Sequence, residues 1–317
     1  MDHMIHVQGL TKFYGDRLAI SNLDFKINSG EIVGFLGPNG AGKSTTMKIL
    51  TGFMPPTQGS VTIGGLDIED EPLAVKKKIG YLPEIPPVYT EMTVQEYLEY
   101  SARLHQVPET QMKESVQTAL KKLFIEDVKN RLIGNLSKGY RQRVGFAQAI
   151  LHKPEVLILD EPTVGLDPKQ IIEIRELMRS FAGNSTVILS SHILSEITAT
   201  CDRVIVISQG KIVAQDTIQA LTERSAGGKS IRVKIHKPSS SGLEKLKSIA
   251  GVSDVTQTQP DQLFIRLKPG VTTEEASQIS EKITGLVVAE GMGLLEIVQE
   301  GASLEAAYLA LTQSGQS

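Results

Sequence analysis

A short apolar run, Glu31-Ile32-Val33-Gly34-Phe35-Leu36, leads straight into Gly37-Pro38-Asn39-Gly40-Ala41-Gly42-Lys43-Ser44 and then into Thr45-Thr46-Met47-Lys48-Ile49-Leu50. The run is flanked by Gly30 and Gly37 and reads as a buried strand. The last segment has helix-like spacing until Thr51-Gly52 ends it. Between them lies a G-x-x-x-x-G-K-[ST] pattern. Its glycines let backbone N–H groups turn inward around a polyphosphate, and a helix N-terminus adds a favourable field. In this reading Lys43 supplies a point charge to the β and γ phosphates and Ser44 a hydroxyl to Mg²⁺. The binding segment is Gly37, Pro38, Asn39, Gly40, Ala41, Gly42, Lys43, Ser44 and Thr45, and ATP with Mg²⁺ is the expected ligand pair. A glycine-rich turn that merely opens a helix is the blander reading. The strand before the loop and the helix after it argue against that.

A second apolar run, Val156-Leu157-Ile158-Leu159, ends in Asp160-Glu161-Pro162. It reads as a buried strand that delivers two carboxylates to one site. Phosphoryl transfer asks mainly for positioning and charge neutralisation. Glu161 is therefore the candidate general base, or the group that orients the attacking water. Asp160 would serve Mg²⁺, which prefers oxygen ligands and keeps several waters. Between the two motifs stands Leu136-Ser137-Lys138-Gly139-Tyr140, opening a helix whose apolar positions Val144, Ala147 and Leu151 recur at helical spacing. Ser137 and Gly139 would present a helix N-terminus to an anion. The run Arg141-Gln142-Arg143 reads as a solvated helix face without a direct role.

In this order the motifs resemble the ATP-binding subunit of an ABC transporter, over about the first two-thirds of the chain. Leu136 to Tyr140 resembles the family's LSGGQ signature, with Lys138 and Tyr140 as departures. Val164-Gly165-Leu166-Asp167 looks like its D-loop, and His192 in Ser190-Ser191-His192 like its switch histidine. Tyr14 falls where the family places an aromatic that stacks on adenine. Alone, a tyrosine or histidine so placed is ordinarily a packed side chain; here the company of the other motifs reverses that. The resemblance implies that the signature of one subunit closes on the γ-phosphate held by the other, so one chain is half of an ATP-dependent dimer. One position departs in kind. After Ile79-Gly80-Tyr81-Leu82 the family usually has a glutamine that senses Mg²⁺, whereas Pro83 is followed here by Glu84. A carboxylate can still ligate Mg²⁺ but adds negative charge beside ATP. This spelling, with Leu-Ser-Lys-Gly-Tyr, most resembles the ATPase subunits of gliding-motility-type transporters, which pair with small ABC-2-type permeases. The implied place is the cytoplasmic face of the inner membrane, as a peripheral subunit of an exporter.

The fold expected is α/β: a P-loop NTPase core with antiparallel β and α-helical subdomains, plus a C-terminal α+β ferredoxin-like domain. Ile5, Val7, Leu23, Phe25 and Ile27 alternate with polar positions, as in antiparallel strands. Residues 85–151 read as the helical subdomain, with a capping box at Thr93-Val94-Gln95-Glu96 and an apolar face on Met112, Val116, Leu120 and Leu123. A helix from Pro168 to Phe181, a strand from Thr186 to Ser190, and a hairpin around Gln209-Gly210 complete a domain over 1–224. Residues 225–229 read as a small, flexible linker. The remainder, 230–317, follows a β-α-β-β-α-β order with Pro260-Asp261 at the central turn, and Ser303 to Leu311 as a terminal helix. It carries no catalytic cluster, so regulation or dimerisation is the expected role.

At 317 residues there is core enough for two domains. A net charge of −3 offers no basis for nucleic-acid binding. The single cysteine, Cys201, excludes an intrachain disulfide and suits a reducing compartment, most simply as a packed side chain. No apolar stretch approaches the ~18–20 residues that span a bilayer, so any membrane contact falls to a partner chain. The competing class is a soluble ABC ATPase acting on ribosomes or DNA. Such proteins carry two cassettes or a long coiled-coil insertion before the signature, and the interval from Ser44 to Ser137 is too short for one.

Overall fold

The computed structural model describes residues 3–225, 230–268, 270–300 and 308. Of the linker expected at 225–229, Ser225 is helical and 226–229 lie outside the described residues, as does the expected terminal helix apart from Tyr308. The chain divides into two compact units, 1–217 and 218–317.

The first unit opens with β1 (His3–Tyr14) and β2 (Arg17–Asn28), then β3 (Ile32–Leu36), α1 (Lys43–Leu50), β4 (Gln58–Ile63), β5 (Leu66–Asp67), α2 (Pro72–Lys78) and β6 (Ile79–Leu82). Three helices follow: α3 (Val94–Leu104), α4 (Glu109–Lys122) and α5 (Lys138–Ile150). The chain then returns through β7 (Val156–Asp160), α6 (Pro168–Arg179), β8 (Thr186–Ser191), α7 (Leu194–Thr200), β9 (Arg203–Ser208) and β10 (Lys211–Thr217). The alternating opening residues face one way: Ile5 pairs with Ile27 and Val7 with Phe25, and all are buried. This antiparallel sheet has the order β2-β1-β4-β5. The larger sheet runs β10-β9-β3-β8-β7-β6, with β3, β6, β7, β8 and β9 mutually parallel where they pair. Strands β3, β7 and β8 are buried along their whole length, which is why they read as unbroken apolar runs rather than alternating ones.

The two sheets share one core. Ile5, Leu23 and Phe25 of the first meet Phe35, Ile158, Ile188 and Ile205 of the second, with Met47, Ile49 and Leu50 of α1 in the same cluster. The rings of Phe25 and Phe35 lie 5.8 Å apart. Each such side chain, taken wholly out of water, contributes about 1.5–3 kcal/mol. Helix α3 begins at the expected capping box, with Thr93 accepting from the Glu96 N–H. Helix α4 buries Met112, Val116 and Leu120. The β9–β10 turn places Gln209 at φ 48° and Gly210 at φ 76°, the left-handed pair that a tight hairpin requires.

Helix α5 departs from the expected solvated face. Gln142 and Arg143 are buried at 2% and 5% exposure. Arg143 donates to the Leu123 carbonyl at 3.1 Å and to Glu173 of α6 at 2.7 Å, while Arg141 donates to the Gly134 carbonyl at 2.8 Å. The buried guanidinium is tolerated because its two terminal nitrogens find a carbonyl and a carboxylate, while its Nε stays without a partner. Charge alone hid this in the sequence.

The second unit comprises α8 (Ile218–Ser225), β11 (Ser230–Ile235), α9 (Ser240–Lys247), β12 (Val252–Gln259), β13 (Gln262–Leu267), α10 (Thr273–Ala289) and β14 (Leu294–Glu300). Its antiparallel sheet has the order β12-β13-β11-β14, the ferredoxin-like arrangement. Gln259 pairs with Gln262 across the Pro260-Asp261 turn. Ile231, Val233, Leu263 and Ile265 form a core with Leu246 of α9 and Ile279, Ile283 and Val287 of α10. The division after Thr217 precedes the expected one, because α8 starts at the residue directly after β10 and no change of composition marks the break. A chain ended after Thr217 is expected to stay soluble and to unfold in a single cooperative melt, since the shared core of the two sheets lies wholly before that point. Aggregation of that fragment on expression would show that the units depend on each other.

Candidate nucleotide site

Parallel strands place the functional residues. In the larger sheet Leu36 of β3 pairs with Ser191 of β8, Ser190 of β8 with Asp160 of β7, and Leu159 of β7 with Leu82 of β6. The residues that leave the carboxyl ends of these adjacent strands are therefore the glycine loop, His192, Glu161 and Pro83-Glu84. Ligands of open α/β sheets bind at such an edge.

The loop is shaped by what glycine lacks. A Cβ on Gly37 would run into the Ile207 carbonyl, and one on Gly42 (φ 108°) would lie 2.5 Å from Ile20 Cγ2. Gly40, at φ 80°, has open space about it. Gly42 stands as the N-cap of α1 with no side chain to satisfy the helix amides, which leaves them to a ligand. Lys43 is 6% exposed; its Nζ donates to the Gly37 carbonyl at 2.8 Å and lies 3.6 Å from Glu161 Oε1.

Glu161 sits at φ 50°, a left-handed backbone unusual for a residue with a side chain and costing about 1–3 kcal/mol. Its N–H donates to the Ser190 carbonyl at 3.0 Å, and Pro162 turns the chain away. Its second carboxylate oxygen lies 2.9 Å from His192 Nδ1. A carboxylate can only accept, so Nδ1 carries the hydrogen and Nε2 is the free ring nitrogen. Asp160 is 3% exposed, and its Oδ1 is buried without a hydrogen-bond partner. The Ser190 hydroxyl, its register neighbour, is likewise buried and unpartnered. An orphaned carboxylate oxygen on the residue before Glu161 is the kind of donor that a hard cation takes. Burial, reinforced by the Asp160 carboxylate, pushes the Tyr81 phenol well above its ordinary range, so it stays protonated. Among the described residues no three His, Cys, Asp or Glu side chains cluster to hold a metal unaided. An ion here would draw most of its oxygens from phosphate and water.

These groups line a cavity of about 760 Å³. Tyr14, Asn39, Gly40, Gly42, Lys43, Ser44, Thr45, Glu84, Glu161 and His192 all border it. Gly37, Pro38 and Ala41 belong to the loop and Asp160 ends β7 next to Glu161, but none of these four borders the cavity. Ser137 and Gly139 are not brought there. Ser137 is exposed and caps α5 by accepting from the Tyr140 N–H at 3.4 Å. A Cβ on Gly139 would lie 2.7 Å from Gln170 Oε1 of α6. Among the lining residues that the sequence reading did not assign to the site are Arg17 and Gln209. Both sit at turns, Arg17 opposite Tyr14 and Gln209 at the β9–β10 tip, and only the assembled sheets bring those turns to the loop. Cys201 is buried, and burial pushes its thiol well up, which makes it an inert packed side chain.

An amide-lined loop with a buried lysine, facing a strand-end carboxylate, defines the class: a phosphate-loop ATPase on a parallel sheet. The family model described as ABC transporter matches residues 20–164. The chain is 30% identical over 310 residues to the linearmycin resistance ATP-binding protein LnrL of Bacillus subtilis, covering 98% of each chain. It is 30% identical over 313 residues to the daunorubicin resistance ATP-binding protein DrrA3 of Streptomyces coeruleorubidus, covering 98% of this chain and 96% of that one. Among solved structures it is similar to an ATP binding subunit of an ABC transporter, with TM-score 0.65, 31% identity, and coverage of 70% of this chain and 92% of that one. A dimeric post-hydrolysis ATP-binding cassette, MJ0796, bound to ADP and Pi, matches at TM-score 0.63 and 26% identity over 68% of this chain and 98% of that one. The chain belongs to the ATP-binding subunits of ABC transporters.

Proposed function

We propose that two copies of this chain close around two ATP molecules and thereby drive a separate permease, as the peripheral half of an exporter. One observation carries the dimer: Lys43, Glu161 and His192 border the nucleotide cavity, whereas Ser137 at the exposed start of α5 does not. A helix N-terminus suited to an anion stands apart from the loop that holds the phosphates, so a second copy is the natural source of the missing half. Ser44 and Asp160 would hold Mg²⁺, with Glu84 at its periphery; the ion would neutralise charge on the transferred phosphate. Tyr14 offers a ring, 46% exposed, to the adenine. MJ0796 is dimeric in its solved structure, and LnrL and DrrA3 are named for drug resistance. Both facts support the reading.

The permease has a place to press. A second, apolar cavity of about 520 Å³ lies between the β6 edge and the helical part, lined by Phe53, Tyr81, Pro83, Ile85, Pro87 and His105 among others. Phe53 and Ile85, 73% and 79% exposed, both border this cavity and offer apolar surface that a partner helix would cover. Segment 83–87 borders both cavities: Glu84 faces the nucleotide side while Pro83 and Ile85 face the apolar one. Movement on one side is therefore felt on the other. Among the described residues no helix is long and apolar enough to cross a membrane. The test is co-purification from detergent-solubilised membranes. Wild type is expected to bring down a polytopic membrane protein, and Ile85→Asp to lose it while still binding ATP. Co-sedimentation with ribosomes instead would favour the soluble alternative.

Glu84→Gln is expected to keep or raise ATPase activity and to shift its Mg²⁺ dependence, because a carboxylate leaves the side of the nucleotide cavity. An Mg²⁺ titration identical to wild type would make Glu84 an ordinary loop residue.

A further inference from the structure

Glu196, on α7, is 3% exposed, and among the described residues no basic side chain forms an ion pair with it. A buried carboxylate is costly unless hydrogen bonds compensate it. Here two hydroxyls do so, one from the turn after β7 and one from the end of β8. Thr163 Oγ1 donates to Glu196 Oε1, and Ser191 Oγ donates to Glu196 Oε2 at 2.8 Å. Ser191 Oγ in turn accepts from the Ile193 N–H at 3.0 Å, so its hydrogen is committed to the carboxylate. Thr163 is 4% exposed, and Ser191 is wholly buried. Thr163 lies two residues beyond Glu161, in the turn that follows β7. Ser191 is the residue before His192, at the end of β8. The carboxylate thus ties the two segments together directly behind the Glu161–His192 contact of 2.9 Å.

We infer that Glu196 is a positioning residue for hydrolysis. It holds the segment carrying the candidate base and the segment carrying the candidate switch histidine at one fixed spacing. Glu161 needs such support, because its own backbone sits in a strained left-handed conformation that only its surroundings can hold. The glycine loop is anchored separately, through Lys43 to the Gly37 carbonyl and Gly42 against Ile20. Losing the Glu196 tie therefore loosens the hydrolytic pair and leaves the phosphate grip intact. The inference rests on Glu161 and His192 acting in hydrolysis.

The experiment is steady-state ATPase kinetics on the full chain, beside equilibrium binding of a fluorescent ATP analogue and a thermal melt. Glu196→Ala is expected to lower kcat by about 10- to 100-fold, the cost of misplacing a reacting group by roughly an ångström. The analogue's Kd should stay within about twofold of wild type, at a temperature where the melt shows the variant folded. Should Glu196→Ala not fold, Thr163→Val carries the same test, since it removes one hydroxyl and keeps the shape; the same split between kcat and Kd is expected. Glu196→Gln, which retains one acceptor oxygen, should recover part of the rate. In a His192→Ala background Glu196→Ala should add less than about a twofold further loss, because residues that act through one contact are not additive. Unchanged kcat in Thr163→Val and Glu196→Ala, a parallel fall of kcat and binding, or additive losses in the double variant would each overturn the inference. Wild-type rates in Glu161→Gln and His192→Ala would instead bring down the reading on which it rests.

Discussion

Glu161→Gln is expected to bind ATP and to hydrolyse it slower by about 10²–10⁴-fold, the range that a positioned general base contributes. The amide keeps the shape of the side chain and one acceptor for His192 Nδ1, so the 2.9 Å contact can persist. What disappears is the carboxylate's capacity to take or orient a proton of the attacking water. If ATP closes two copies and hydrolysis reopens them, the same variant accumulates as a dimer in saturating ATP. Size-exclusion chromatography with and without nucleotide reads this directly. A variant that stays monomeric and hydrolyses at the wild-type rate would remove Glu161 from the mechanism. The substitution also takes a charge from beside Lys43, whose Nζ lies 3.6 Å from Glu161 Oε1, so the lysine is freed for phosphate rather than lost.

Lys43→Ala should fail at the earlier step. Its ammonium is buried and within reach of the loop carbonyls, where a phosphate would meet it with little competing water. Losing a charge-assisted contact of this kind costs about 2–3 kcal/mol, or roughly 30- to 150-fold in Kd. Titration with a fluorescent ATP analogue should show that weakening, with kcat falling as well because the same charge faces the transferred phosphate. The two variants differ in kind: tight binding without turnover for one, weak binding for the other. Equal ATP affinity in Lys43→Ala and wild type would place the phosphates elsewhere.

Local chemistry accounts for what could be read early. The strand Ile32–Leu36, the glycine loop and helix Lys43–Leu50 follow from apolar periodicity bounded by glycines. The Thr93–Glu96 capping box and the Gln209-Gly210 turn follow from backbone groups that nearby residues must satisfy. The α9–β12–β13 segment and its Pro260-Asp261 turn belong to the same class, since each needs only its neighbours in sequence. The short helix α7 went unseen because its seven residues are too few to display a period. Gln142 and Arg143 were misread because a charged side chain signals solvent until a partner is known, and Glu173 lies thirty positions away on another helix.

The sequence by itself determined the phosphate loop, the carboxylate pair at the end of an apolar strand, and the family to which their order points. These are recognisable because each is contiguous, and its chemistry demands particular residue types at short spacing. Tertiary structure alone decided that β3, β8, β7 and β6 lie side by side, which brings Lys43, His192, Glu161 and Glu84 to one edge. It alone showed Asp160 with a buried, orphaned oxygen, Ser137 outside the nucleotide cavity, and Glu196 tying the turn after β7 to the end of β8. The physical reason is that burial and pairing across strands are relations between distant residues. A glutamate reads the same in a sequence whether it meets water or two buried hydroxyls.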